Sequence, residues 1–231
     1  MGNVTERLAE AFPNKIVLNS IGNNDVWQHN NAPRTDEKEA YYTDMWNVWF
    51  KGNAKNNATL AQNKTIEESF KKGGYYAYTI PGKNFTVISL NAMYPFVENH
   101  NDVEMSTTML DWFEAYLQNS TEKFMIMMHV YPGNNFHEEL EVFWNSTYLD
   151  RLHDILYTYR RRFVVSFGAH IHKTHYFAPE SYVHPELNFV QIVNAAVSPC
   201  YNNNPSYGIL EFNDNLTIKS HTSRFFQLTE Y

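Results

Sequence analysis

The chain has 231 residues, 43% of them hydrophobic and 16% aromatic, with 18 Lys and Arg against 25 Asp and Glu for a formal net charge of −7. That length fits one domain, or one domain with an appendage, and the apolar content suffices for a core. The acidic balance, without a long basic block, excludes the electrostatic footprint of a nucleic-acid-binding protein, and no apolar run approaches the ~18 residues of a membrane span.

The first element is an amphipathic helix over Val4–Phe12, too polar for a signal peptide. Lys15–Leu18 reads as a strand that ends at Gly22, inside the stretch "SIGNNDVWQHN" (Ser20–Asn30). Asp36–Phe50 is a helix with Tyr42, Trp46, Trp49 and Phe50 near helical spacing. The polar run Gly52–Lys64 is a surface loop, and Ile66–Lys72 is a short helix closed by the Gly73-Gly74 turn. Tyr75–Ile80 and Phe85–Leu90 are strands joined across Pro81-Gly82. Glu104–Leu117 is a helix, Phe124–Val130 a buried strand and Phe143–Tyr159 a helix, whose solvated end carries Arg160-Arg161-Arg162. Phe163–Phe167, Phe189–Val193, Tyr207–Phe212 and Leu216–Phe226 complete the strands. This alternation predicts an α/β fold with a mixed sheet towards the C-terminus.

Cys200 is the single cysteine, which excludes an intrachain disulfide. Seven N-x-S/T sequons, at Asn3, Asn57, Asn63, Asn84, Asn119, Asn145 and Asn215, point to the secretory pathway.

Three polar clusters follow apolar strands: Gly22-Asn23-Asn24-Asp25; His129, just ahead of Tyr131-Pro132-Gly133; and Gly168-Ala169-His170-Ile171-His172. Carboxyl ends of strands are where loops converge into sites. Along an extended segment His-x-His sends its side chains to opposite faces, but at a strand end it can serve two adjacent metals. Imidazole with amide or carboxylate oxygen suits zinc or a similar transition metal. Taken singly, each cluster also reads as an ordinary turn or a hydrogen-bonded histidine. Their order and separation carry the information.

That order resembles the calcineurin-like metallophosphoesterases, and more narrowly the acid sphingomyelinase-like phosphodiesterases and endopolyphosphatases. The matching segments are "LNSIGNNDVW" (Leu18–Trp27), "FKKGGYYAYTIPGKNFTVISLNAMY" (Phe70–Tyr94), "MLDWFEAYL" (Met109–Leu117), "MIMMHVYPG" (Met125–Gly133), "FGAHIHKTHY" (Phe167–Tyr176) and "NAAVSPCYNNNPSYGILEF" (Asn194–Phe212). The resemblance implies two metals, usually zinc, that clamp a phosphate and promote in-line attack by water. It matches Asn23, His129 and His170 to ligands of one metal and His172 to a ligand of the other. Asn24 stands where the family usually has a histidine that protonates the leaving oxygen. An amide cannot do that, but it can hydrogen-bond a phosphate oxygen, and the GNND form is similar to the endopolyphosphatase version. Asp25 is expected to secure the loop.

The family's D-x-H and G-D motifs, which supply the remaining ligands, are absent; only 21 residues precede Gly22, without Asp or His. The expectation is therefore a single domain over 1–231 that lacks its N-terminal part: the C-terminal portion of an αββα sandwich, mixed sheets flanked by helices, with a strand-rich extension at about 186–231. An incomplete sheet is expected to expose an aggregation-prone edge. The implied function is metal-dependent hydrolysis of a phosphoric ester; the alternative is a non-catalytic secreted glycoprotein that keeps half of the site. Partners follow as a small phosphate ester or lipid headgroup, such as sphingomyelin, a nucleotide or polyphosphate. Membrane-surface contact is allowed, and the oligomeric state is left open. The full-length protein is expected to be secreted or lysosomal/vacuolar. His100, His137, His175 and His184 either line a cleft or face solvent.

Overall fold

The computed structural model describes residues 2–52, 59–135, 141–178, 181 and 183–228. Its elements run α1 (Gly2–Ala11), α2 (Lys38–Trp46) with a π-helical turn (Asn47–Lys51), α3 (Lys64–Gly73), β1 (Tyr76–Thr79), β2 (Phe85–Ser89), α4 (Met105–Gln118), β3 (Lys123–Met127), β4 (Asn134–Asn135), β5 (Glu141–Val142), α5 (Ser146–Thr158), β6 (Phe163–Gly168), β7 (His175–Phe177), β8 (Gln191–Val193), β9 (Ser206–Phe212) and β10 (Ile218–Phe225).

Six strands form one mixed sheet in the order β1-β2-β3-β6-β8-β7. The inner strands β2, β3, β6 and β8 are parallel; β1 and β7 run antiparallel at the two edges. Each parallel step needs a crossover, and α4 and α5 supply two of them. On β3 the side chains alternate: Phe124 and Ile126 are buried while Met125 and Met127 are half-exposed. Phe124 meets Phe113 of α4 with ring centroids 6.0 Å apart. Phe70 of α3 meets Tyr76 of β1 at 6.1 Å. One contiguous core joins these helices to the sheet. The β9–β10 hairpin is a separate two-stranded sheet, held to the larger one where Phe212 packs on Phe85 at 5.2 Å and where the Lys123 ammonium donates to the Asn215 carbonyl at 2.8 Å.

Several expected boundaries move, each for a local reason. The strand expected over Lys15–Leu18 does not form, since that segment joins no ladder. The Asn19 backbone that follows it is bonded by side chains instead: its N–H donates to Tyr76 Oη and its carbonyl accepts from Tyr76 Oη and Ser89 Oγ. The helix expected from Phe143 begins only at Ser146, where Asn145 Oδ1 accepts the Thr147 N–H at 3.1 Å, a standard N-cap. Trp144 forms a bridge with Phe96, and its indole N–H donates to the Val130 carbonyl. The expected strand over Phe124–Val130 ends as a regular strand at Met127. The tight Arg160-Arg161-Arg162 cluster is only partly a solvated end. Arg162 donates to the Leu117 and Ser120 carbonyls at 2.6 and 2.8 Å and ties the end of α4 to the start of β6. Much of the expected loop Gly52–Lys64, namely 53–58, lies outside the described residues.

Gly74 shows why the Gly73-Gly74 turn needs glycine. Its φ is +73°, and a Cβ there would sit 2.4 Å from Ile21 Cδ1. The left-handed residue closes α3 by donating its N–H to the Phe70 carbonyl, and the tight approach seats Ile21, one residue before the GNND loop.

Candidate metal centre

The three polar clusters meet at the carboxyl ends of β3 and β6. Beyond the strands the chains stay in register: the Met128 N–H donates to the Phe167 carbonyl at 3.0 Å and the Ala169 N–H to the His129 carbonyl at 2.9 Å. This places His129 beside His170, with ring centroids 5.3 Å apart at 74°.

The GNND loop is a closed turn. The Asp25 carboxylate accepts the Gly22 N–H at 2.9 Å, and the Asp25 N–H donates to the Gly22 carbonyl at 3.1 Å. Tyr41 Oη donates to the Asp25 carbonyl at 3.0 Å and fixes the turn to α2. Burial raises the Asp25 pKa, and the Gly22 N–H opposes it. Gly22 itself abuts the His129 ring: a Cβ there would lie 3.0 Å from Cγ and Nδ1.

Asn23 is 6% exposed. Its Oδ1 accepts from His129 Nε2 at 2.7 Å, across 106 residues of sequence. Burial, together with His170 and His172, lowers the His129 pKa to about 3. Its imidazole is therefore neutral at neutral pH, the form that a metal ion requires.

His170 packs edge-on to Phe96 and Phe143 at 5.5 and 5.1 Å. Burial lowers its pKa as well, against the pull of Glu98. The Nδ1 atoms of His170 and of His172 are both buried and have no hydrogen-bond partner among the described residues. Both residues adopt left-handed backbone, φ +77° and +58°. Non-glycine residues hold that conformation at a cost of roughly 1 kcal/mol or more, and such strain clusters at functional sites. The left-handed turns also end strand alternation, and both rings lie near enough to His129 to bear on its protonation.

Asn23, His129 and His170 thus come together, with His172 adjacent. Asn24 does not join them; it is exposed. Among the described residues no three His, Cys, Asp or Glu side chains converge into a metal-binding group; the donors that lie at this end of the sheet are the Asn23 amide and the imidazoles of His129 and His170, with His172 beside them. An amide oxygen and neutral imidazole nitrogens suit a borderline divalent ion, and the two unpartnered Nδ1 atoms are free to serve one.

Sequence reasoning missed His29, Asn30 and Glu98. Asn23 Nδ2 donates to Asn30 Oδ1 at 2.9 Å and to His29 Nε2 at 3.0 Å, and Asn30 Nδ2 donates to the Glu98 carboxylate. The one available signal was the nearness of His29 and Asn30 to the GNND motif; Glu98 comes from a distant loop. Trp27 and Gln28 line a groove on the same loop with Asn31, Arg34, Glu37 and Tyr41. The other histidines lie elsewhere. His100 is exposed and its N–H donates to Asn31 Oδ1, His175 lies on β7, and His184 stacks on Tyr157 at 4.0 Å while contacting Asp154. His137 lies outside the described residues.

No family profile matches the chain. A sphingomyelinase phosphodiesterase D of Dictyostelium discoideum is 24% identical over 215 residues, covering 88% of this chain and 45% of that protein. The human cyclic GMP-AMP phosphodiesterase SMPDL3A is 24% identical over 178 residues, covering 74% of this chain and 37% of that protein. The chain therefore spans less than half the length of these curated relatives. Among solved structures, PhoD aligns with 75% of this chain and 38% of its own at a TM-score of 0.46 and 9% identity. A dimetal phosphatase of Danio rerio aligns with 52% and 49% at 0.37 and 16%.

Proposed function

We propose that this chain, related in sequence to the sphingomyelinase-like phosphodiesterases, contributes to a metal-dependent phosphoesterase site that hydrolyses a phosphodiester. The observation that carries the reading is the meeting of Asn23 Oδ1 and His129 Nε2 at 2.7 Å, beside two imidazoles whose buried Nδ1 atoms have no partner among the described residues.

In this reading Asn23, His129 and His170 hold one divalent ion, zinc by its donor chemistry, and His172 reaches a second. Bound there, the ions supply Lewis-acid polarisation of phosphate oxygens and charge neutralisation. The chain's own residues prepare that place. Asp25 locks the turn, Gly22 lets the loop approach His129, and burial lowers the pKa of both His129 and His170. Asn24, exposed at the rim, hydrogen-bonds a phosphate oxygen. The exposed indole of Trp27 gives the substrate's non-phosphate part a flat surface to lie on. A small phosphodiester, either a nucleotide or a lipid headgroup, is the substrate class that fits. Residues 1–231 form one domain of this fold, with the strand-rich extension from about 186. Exposed sequons support a secreted or lysosomal/vacuolar protein.

A second reading, a glycoprotein that keeps part of the site without catalysis, is favoured by one observation: among the described residues no three His, Cys, Asp or Glu side chains converge into a metal-binding group. Metal content measured after zinc loading and dialysis, paired with hydrolysis of bis-p-nitrophenyl phosphate, separates the two. The enzyme reading expects about one or more zinc per chain, turnover, and loss of both in His129→Ala and His170→Ala. Bound zinc without turnover selects the second reading. A chain without zinc refutes the enzyme reading and leaves the second.

A further inference from the structure

We infer that His29 is a positioning residue: with Asn30 it fixes the rotation of the Asn23 carboxamide so that Oδ1, and not Nδ2, faces the imidazole cluster. This rests on the metal reading above and extends it to a residue outside the matched motif.

A carboxamide is nearly symmetric in shape but not in chemistry: one end accepts and the other donates twice. At a site that needs an oxygen ligand, the two orientations are not equivalent, and something must choose between them. Here the choice is made by acceptors. The Asn23 Nδ2 group lies 2.9 Å from Asn30 Oδ1 and 3.0 Å from His29 Nε2, so both of its protons have a partner. Rotating the amide by half a turn would press Oδ1 against Asn30 Oδ1, and the contacts with His29 Nε2 and His129 Nε2 would survive only if both rings changed tautomer.

The acceptors are themselves held. Asn30 adopts φ +65°, and its own Nδ2 donates to the Glu98 carboxylate, which fixes Asn30 Oδ1 towards Asn23. The loop closes on itself where the Asn30 N–H reaches the Asn23 carbonyl at 3.4 Å and the Asn31 N–H reaches the Gln28 carbonyl at 3.0 Å. Asn31 Nδ2 donates to the His29 carbonyl at 3.1 Å. Buried Asn31 thus anchors the backbone that carries exposed His29. Accepting at Nε2 also requires the His29 ring proton to sit on Nδ1. Groups of this kind, one step removed from a metal, typically change affinity 10–100-fold when removed.

The test is zinc affinity by calorimetry, with the absorption spectrum of the cobalt(II)-loaded protein as a second readout, for wild type, His29→Ala and His29→Gln. The glutamine carbonyl can accept the same amide proton. We expect His29→Ala to weaken zinc roughly 10-fold or more and shift the cobalt bands. His29→Gln should restore affinity to within about threefold, and the thermal midpoint should stay near wild type because His29 is exposed. Wild-type affinity and spectrum in His29→Ala would overturn the assignment alone. Equal weakness in His29→Gln would overturn it in favour of His29 as a direct ligand. A wild-type chain that takes up no ion would overturn the metal reading and this assignment together.

Discussion

At Gly22 the backbone lies against the face of an imidazole, and that approach sets a prediction. A methyl group there would stand 3.0 Å from His129 Cγ and Nδ1, so the ring or the loop must yield by a few tenths of an ångström. Gly22→Ala should cost about 1 kcal/mol, as modest overpacking does. It should also weaken zinc binding, because the shift opens the 2.7 Å contact between Asn23 and His129. Thermal melts and zinc titration of the variant check this; unchanged affinity would mean that the loop absorbs the methyl without moving the ring. Single residues were unevenly legible. Asn23, His129, His170 and His172 could be picked out because short polar motifs after apolar runs are readable along the chain. The locking role of Asp25 was also expected, and the carboxylate does accept the Gly22 N–H. His29 and Glu98 were not, since a lone exposed histidine or glutamate has no local pattern.

Among the elements, α5 carries a titratable group with a stability consequence. His153 is 1% exposed, and neither ring nitrogen has a hydrogen-bond partner among the described residues. Burial lowers its pKa, nearby His184 adds to that, and Asp150 and Asp154 oppose it. An unfolded histidine titrates near 6.5. Below that pH the unfolded chain takes up a proton that the folded chain resists, so stability is full above about 6.5 and falls as the pH drops towards the folded value. The melting temperature of wild type should therefore decline between about pH 7 and 5 more steeply than that of His153→Leu. Equal slopes would show that His153 takes up its proton without cost. Most helices and strands, and their order, were legible from periodicity, but the strand expected over Lys15–Leu18 does not form and the ends of the others moved. Whether an apolar run joins a ladder at all depends on what occupies the neighbouring backbone groups, as the Asn19 contacts with Tyr76 and Ser89 show. The edge strand β7 escaped notice because its three residues are too short to show alternation.

For the molecule as a whole, the distribution of sequons makes a prediction about its route through the cell. Asn63, Asn84, Asn119, Asn145 and Asn215 are all exposed. Asn63 and Asn145 use Oδ1 to cap α3 and α5, so the cap leaves Nδ2, the atom that carries a glycan, unengaged. Expression through a eukaryotic secretory pathway should give a product whose apparent mass falls on treatment with an N-glycosidase, and each Asn→Gln change should remove one step. A product of unchanged mobility would remove the main support for the secreted reading. No helix among the described residues is long and apolar enough to cross a membrane.

Composition, the alternation of apolar runs and the spacing of glycines and prolines were enough to specify an α/β chain and to mark three segment ends as chemically unusual, two of them the ends of β3 and β6. These are local properties, set by each segment's own side chains and its preferred backbone. The pairing of those ends is not local. His129 and His170 meet because β3 lies beside β6 in a particular sheet order, and Asn23 reaches His129 across 106 residues because the chain ahead of it is held to Tyr76 and Ser89 of β1 and β2. That order follows from burying many apolar faces at once, which no single segment encodes. The orientation of the Asn23 amide is a further step removed, since it depends on acceptors from His29 and Asn30 and on Glu98 behind them. Hydrogen-bond direction is decided only once donors and acceptors from separate segments share a volume that excludes water.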